Sequence, residues 1–540
     1  MKLRLPDKIK LFCAIDRGIS LDVSDHMSYG DVLLKLRTEN DRLRIFLSAD
    51  TTPVLHIRLR WNFTAGEKRS DAVHVMGDTW ERTYGELEWR SIVPHRFMPW
   101  YMLVSNGSDS SLDYKNRFTE TFGVEVRPNA VCTWQYDPRG VTLWLDCRCG
   151  GDGVILGGRE TELCRVVMGE YRDMSAYSAG RLFCREMCRD GLIPDHMIYG
   201  SNNWYYAVGN SSHEQILRDA HLIAKLTEGC TNRPYMVIDD GWQKYPCDGP
   251  WNCGNERFPD MARLAREIEN SGAIPGLWVR YLHDSHNETL GEAFRIPSRP
   301  ELLDPSLPEV IEQVKADTRR FVSWGYKLIK HDFTCVDIFG NYGGTRDTYL
   351  AENGWSFHDR SRTSAEITLD LYRAIREAAG DDVIIIGCNT PSHLSAGLVH
   401  LYRTGNDTSA RHFERTRICG VNALAFRMMQ NGIFYLCDAD CASHAGRIDW
   451  TQNREWLRAI SESGTALFIS ADPDLTNESI ERDMREALVR NSKGEDEMIP
   501  LDWMENSAAE RYLVNGEVRE YNWYAPDGTW RFIPPADPEY

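Results

Sequence analysis

Alternation of apolar and polar positions marks the first 175 residues. Ile57-Arg58-Leu59-Arg60-Trp61-Asn62-Phe63 puts every second side chain on one face, the pattern of a half-buried strand, and strand-like runs recur at Phe122–Val126 and Val141–Leu145. Such strands pair into a sandwich. A helical segment at Ser178–Cys188 leads to Pro194, after which short apolar runs alternate with longer amphipathic stretches, the rhythm of an α/β fold. Eight runs read as strands: Met197–Gly200, Tyr235–Ile238, Ile274–Val279, Lys327–Ile329, Val383–Ile386, Leu398–Tyr402, Ile433–Leu436 and Ala466–Ile469. Eight is the number a (β/α)₈ TIM barrel needs. Between them, Ser211–Glu228 opens on a capping-box pattern, Ser211-x-x-Glu214, and Pro308–Trp324 starts with proline in its first turn. The link between the fifth and sixth runs is too short for a full helix. After a helical stretch at Ile480–Asn491, Tyr512-Leu513-Val514, an Asn515-Gly516 turn and Glu517-Val518-Arg519 spell a hairpin. The pattern thus predicts an α/β chain with an N-terminal β-sandwich domain and linking helix over 1–190, the barrel over 191–492, and a small C-terminal β domain over 493–540.

Composition narrows the partners. The sequence of 540 residues is 42% apolar and 26% charged, ordinary for a soluble protein of several domains. Its formal net charge of -18 repels phosphate backbones and anionic headgroups, which argues against nucleic acid and membranes as partners and leaves neutral small molecules open. The opening MKLRLPDKIKLFCAIDRG mixes charges into its only apolar stretch, and no apolar run reaches ~18 residues, so a cytoplasmic protein is expected. The 15 cysteines, an odd number, read as reduced thiols. Cys147-x-Cys149 and Cys437-x-x-x-Cys441 lack the paired spacing of a zinc site, and no metal or cofactor is expected. Association of copies into a homo-oligomer stays open.

In a parallel barrel, catalytic groups project from the C-terminal ends of the strands. Here those ends are polar: Asn202, Asn203 and Trp204 follow the first, Asp239 and Asp240 the second, Arg280 the third, and Lys330 and Asp332 flank the fourth. Cys388 and Asn389 follow the fifth strand, Arg403, Asn406 and Asp407 the sixth, and Asp438 and Asp440 the seventh. Singly, an Asp after a strand is as often a helix cap or turn former. Together, so many charges at one mouth need partners or a ligand.

Four segments carry a resemblance. Tyr235-Met-Val-Ile-Asp-Asp-Gly-Trp242, Gly276-Leu-Trp-Val-Arg280, Leu328-Ile-Lys-His-Asp332 and Tyr402-Arg-Thr-Gly-Asn-Asp407 resemble, in order and strand, motifs of the retaining α-galactosidase clan, glycoside hydrolase families 27 and 36 and more distantly 31. The resemblance covers the barrel. It implies Asp332 as nucleophile and Asp407 as acid/base, two carboxyl groups that a retaining glycosidase places ~5–5.5 Å apart. It implies Asp239 and Asp240 as acceptors for sugar hydroxyls. Lys330 shares a strand face with Asp332 and either helps keep it ionised while binding a hydroxyl, or pairs with Asp239 or Asp240. Arg403 binds a hydroxyl or orients Asp407, whose carboxyl it would hold ionised unless burial opposes it. Trp204, Trp242 and Trp278 are candidate platforms for a sugar's apolar face, with core filling as the alternative. Arg280 joins the candidate substrate contacts. Asp438 and Asp440 have no counterpart in the family pattern and are read as recognising a feature peculiar to this protein's substrate. Cys388-Asn389-Thr390-Pro391, then His393, replaces a glycine-rich loop, so the sugar's 2-position is read differently.

An α-galactoside is therefore the leading substrate. Three other readings compete: the same chemistry on an α-glucoside or N-acetyl-α-galactosaminide, a metal hydrolase using His331, Asp332, Asp438 and His444, and a silent carbohydrate-binding barrel.

Overall fold

The computed structural model describes residues 3–14, 17–64, 72–343 and 349–529. Two antiparallel sheets, of six and seven strands, make up the first unit. The strand His56–Asn62 shows what holds them: Ile57, Leu59 and Trp61 are fully buried while Arg58 and Arg60 turn outward, so the alternation in the sequence becomes the two faces of a sheet. Trp61 stacks on Trp134 of the neighbouring region at 6.1 Å. The run expected at Phe122–Val126 is the strand Phe118–Val124, which begins earlier because Thr119 and Thr121 already pair with Tyr171 and Gly169. The run at Val141–Leu145 is the strand Gly140–Asp146. The helix Ala176–Met187 follows, its first turn capped by the Ser175 hydroxyl, which accepts from the Ser178 N–H.

Next comes the barrel, whose strands are β1 Tyr199–Asn202, β2 Tyr235–Ile238, β3 Ile274–Val279, β4 Leu328–His331, β5 Ile384–Gly387, β6 Leu401–Arg403, β7 Leu436–Asp438 and β8 Leu467–Ala471. They pair in parallel in chain order, and β8 pairs with β1. The circle closes through a bridge between Asp438 and Ala466, where the Ala466 N–H donates to the Cys437 carbonyl at 2.9 Å. A further short strand, Ala442–His444, lies beside β8. β2 and β3 have the expected bounds; the other six end one to two residues beyond the expected apolar runs. Asn202, His331, Gly387, Arg403 and Asp438 remain in the ladder, so on β1, β4, β6 and β7 a polar residue forms the last rung.

The connections follow the sequence with one correction. Helix His213–Leu226 is capped by Ser212, whose hydroxyl accepts from the Gln215 N–H, whereas Ser211 accepts from the Asn203 amide at 3.0 Å. Pro308–Trp324 is a helix over those residues, and only the short helix Ser392–Ser395 separates β5 from β6. The C-terminal unit, described as far as residue 529, pairs Met498–Pro500, Arg511–Val514 and Glu517–Glu520, with Asn515 and Gly516 both at positive φ in the expected two-residue turn. Among the described residues no helix is long and apolar enough to cross a membrane, and all the cysteines are unpaired.

β1 admits no side chain at Gly200, where a Cβ would lie 1.9 Å from the Tyr235 carbonyl oxygen of β2. Gly200→Ala should wedge β1 from β2 and cost about 1–3 kcal/mol, read as a lower urea midpoint; an unchanged midpoint would contradict this packing.

Candidate active site

Asp332 sits one residue past β4. Its N–H donates to the Val279 carbonyl at 3.0 Å, and its carboxylate accepts from Trp278 Nε1 at 3.1 Å and from the Phe333 N–H at 2.7 Å. Phe333 has φ 64°, a left-handed conformation costly for a bulky residue, and it turns the chain sharply just after the carboxylate. Trp278, only 2% exposed, therefore serves Asp332 as a hydrogen-bond donor and presents no open platform. Trp242 is wholly buried, donating to the Trp278 carbonyl at 2.9 Å and packing on Trp251, which makes it core. Trp204, in the first turn after β1, is the partly open one of the three.

Lys330 pairs with Asp239. Its Nζ lies 2.7 Å from Asp239 Oδ2, which also accepts from Asn202 Nδ2 at 2.7 Å. Burial works against the ammonium, but the Asp239 charge outweighs it and keeps Lys330 protonated. Asp240 is more open. One of its oxygens accepts from the Gln243 amide and, at 2.8 Å, from the Cys247 N–H, and burial raises its carboxyl above the usual range.

Asp407, four residues past Arg403, is met by two guanidiniums. Arg403 Nη2 and Arg82 Nη1 each lie 3.1 Å from its Oδ1. Burial alone would raise this carboxyl, but Arg82, Arg403, Lys330 and Arg415 together hold it well below the ordinary carboxylate range. Arg82 comes from the N-terminal unit. So does Glu81, which is fully buried and accepts from the Gly343 N–H at 3.1 Å and from the Tyr84 hydroxyl. Burial pushes Glu81 up to about 7 against the pull of Arg82. Asn389 joins the two: its amide nitrogen donates to Glu81 Oε2 at 2.8 Å and its oxygen accepts from Arg82 Nη2 at 3.1 Å. Cys388 Sγ faces Arg82 and Arg403 at 3.9 and 3.8 Å. Nothing in the sequence near Glu81 and Arg82 distinguishes them from sandwich residues, because they reach the mouth only through the tertiary fold.

Arg280 is anchored by a residue the strand-end reading omits. Its guanidinium holds Asp337 through two bonds, at 3.0 and 2.6 Å, while lying over the Phe333 ring at 4.4 Å and 3.4 Å from Cys247 Sγ. Asp337 stands in the helix Thr334–Phe339, five residues after Asp332, a spacing that no helical or strand period picks out. Asp440, at φ 76°, accepts from the Tyr205 hydroxyl and from the Thr408 N–H at 2.8 Å and pairs with Arg403 at 2.8 Å, so it positions Arg403. Asp438 is buried, its carboxylate accepting from the Asp440 N–H at 2.9 Å, and it lines the inside of the barrel with Lys330, Asn202 and Arg403. Among the described residues, no three His, Cys, Asp or Glu side chains are placed to hold a metal ion.

Burial raises Asp438 to about 6, with Arg403 opposing and Asp440 adding to the rise. Below about pH 4 the residue is protonated in both folded and unfolded chains; between pH 4 and 6 only the unfolded chain ionises, so stability falls across that window and stays lower above it. Asp438→Asn keeps the oxygen that accepts from the Asp440 N–H and removes the titration. The variant should match the wild type at pH 4 and exceed it by about 2 kcal/mol at pH 7 in urea denaturation; equal pH dependence of the two proteins would refute the assignment.

No family model matches the sequence. Solved structures do. An α-galactosidase from Thermus thermophilus, in complex with p-nitrophenyl α-D-galactopyranoside, superposes with a TM-score of 0.60 at 15% identity, covering 95% of this chain and 98% of that one. A family 36 α-galactosidase from Geobacillus stearothermophilus, in complex with 1-deoxygalactonojirimycin, gives 0.60 at 14% identity over 91% of this chain and 72% of that one. The α-galactosidase of Lactobacillus brevis gives 0.56 at 10% over 96% and 77%. What this chain shares with these enzymes, across nearly its whole length, is their fold: a barrel closed by eight strands behind an N-terminal sandwich.

Proposed function

We propose that the chain is a retaining glycoside hydrolase that cleaves a terminal α-linked galactose through a covalent glycosyl-Asp332 intermediate. The observation that carries this reading is a pair of carboxylates in unlike surroundings beyond β4 and β6, Asp332 facing an indole N–H and Asp407 facing two guanidiniums. Asp332 attacks the anomeric carbon as the glycosidic bond breaks, and Asp407 gives its proton to the departing oxygen. Water then adds to the same carbon, Asp407 takes a proton from it, and the ester to Asp332 breaks. Because its arginine neighbours favour the carboxylate, Asp407 is best suited to the second half of the cycle, as base. The first half then depends on how much help the leaving group needs.

Asp240 is the carboxylate best placed for a sugar hydroxyl, with Asp239 fixing Lys330 beneath it. Similar folds have been solved with p-nitrophenyl α-galactoside, stachyose and raffinose, which supports small galactosides and oligosaccharides as substrates. Glucosides and N-acetylgalactosaminides stay in the comparison because Cys388 and Asn389, in the loop after β5 that by resemblance reads the 2-position, are engaged by Arg82, Arg403 and Glu81. A cytoplasmic setting belongs to the same proposal, and the unpaired thiols suit a reducing compartment.

A panel of nitrophenyl α- and β-glycosides tests this. Release is expected from the α-galactoside, with at least about a 10³-fold loss in Asp332→Ala. Asp407→Ala should lose about 10²–10⁴-fold on raffinose and much less on the nitrophenyl substrate, whose phenolate leaves without a proton. Release from a β-glycoside, or full activity in Asp332→Ala, would contradict the mechanism.

A further inference from the structure

The sandwich reaches the site at one seam. The Thr83 N–H donates to the Thr404 carbonyl at 2.9 Å, and the Asn406 N–H donates to the Thr83 carbonyl at 2.8 Å. These two bonds bracket Gly405, so the seam is backbone against backbone, and on its barrel side Gly405 packs so closely that a Cβ would come within 2.6 Å of the Cys419 carbonyl oxygen. They hold Thr83 opposite Gly405 in a single parallel bridge, and from there the Arg82 side chain reaches the Asp407 carboxylate. Side chains tighten it. The Thr83 hydroxyl and Asn422 lie 3.1 Å apart, and Arg427 donates to the Glu81 carbonyl.

From this geometry we infer that Arg82 is a positioning residue for the acid/base: with Arg403 it occupies Oδ1 of Asp407 and leaves Oδ2 to meet the leaving-group oxygen and then the attacking water. The inference rests on the hydrolase reading and goes beyond it, because it makes the N-terminal unit part of the catalytic apparatus. Among the described residues, no hydrogen bond engages Oδ2. Arg82 is 7% exposed and fixed on its other edge by Asn389, itself held by Glu81, so its approach to Oδ1 is preset rather than one of many rotamers. The other groups facing Asp407 are Arg403 on β6, Lys330 on β4, Arg415, whose Nε donates to the Asp407 carbonyl at 2.9 Å, and the Cys419 thiol. Of the cations, Arg403 is shared with Asp440 and Lys330 is paired with Asp239, whereas Arg82 has Asp407 as its ion-pair partner.

The role has a kinetic signature that simple structural support lacks. Without Arg82, Asp407 is less well aimed at the attacking water, so the second half-reaction slows and glycosyl-enzyme accumulates. With nitrophenyl α-galactoside, Arg82→Gln should lower kcat by about 10–100-fold and lower KM with it, leaving kcat/KM nearly unchanged. Azide, which attacks the anomeric carbon of the glycosyl-enzyme and displaces the Asp332 carboxylate without needing a base, should restore kcat and yield a glycosyl azide. On raffinose, where protonation of the leaving group matters, the basic limb of kcat/KM should move upward by about one pH unit, since an Asp407 relieved of one cation holds its proton longer. Arg82→Lys keeps the charge but cannot span Asp407 and Asn389, so it should fall between wild type and Arg82→Gln, and it serves the same test if the Gln variant does not fold. Equal losses of kcat on every substrate with no azide rescue and unmoved pH limbs, or wild-type kinetics in both variants, would overturn the inference while leaving the hydrolase reading intact. A wild type silent on all glycosides would instead overturn that reading, and this inference with it.

Discussion

The ion pair between Lys330 and Asp239 is the constraint around which the mouth of the barrel is arranged. A buried ammonium and a buried carboxylate are each costly to desolvate, and their mutual attraction offsets that cost only when further bonds satisfy what remains. Asn202 supplies one to Asp239, and the Asn203 amide oxygen accepts from the Asp239 N–H at 2.8 Å, so β1, β2 and β4 are tied together by one charge contact. The alternative, Lys330 serving Asp332 directly, would leave Asp239 without a cation. Geometry has chosen the pair that costs least. Asp332 is left to an indole N–H and a backbone N–H, donors that orient a carboxylate without neutralising it.

The same logic runs around the other half of the ring, with arginine in place of lysine. Arg403 divides its guanidinium between Asp440 and Asp407, Arg280 spends two bonds on Asp337, and Arg82 spans Asp407 and Asn389. Planar forks suit these bridging tasks, which a single ammonium would fill less well. Two carboxyl groups, Glu81 and Asp438, lie in this network with burial pressing them toward the neutral form.

The barrel was legible in the sequence because its strands are apolar runs between amphipathic helices, and the candidate pair Asp332 and Asp407 because each Asp follows such a run. Strand ends were less so: Arg403 and Asp438 look like loop residues by polarity yet sit in the ladder, paired with each other. Roles were harder still than positions. Trp278 and Asp438 were visible as candidates, but whether an indole offers its face or its N–H, or whether a carboxylate looks up at the mouth or down the bore, depends on neighbours far away in the chain. Asp337 was hidden by lying on a short helix outside any strand end. Glu81 and Arg82 were hidden completely, because no periodicity links a residue in the sandwich to the sixth strand of a barrel.

Arg82 precedes Asp407 by 325 residues. A chain emerging from synthesis therefore presents the sandwich, with Arg82 in it, long before the strand that carries its partner exists. The seam at Thr83 can form only when β6 arrives, so the earlier unit acts as a jig against which the later one is set. Exchanging or trimming that unit would remove one of the two guanidiniums that meet Asp407.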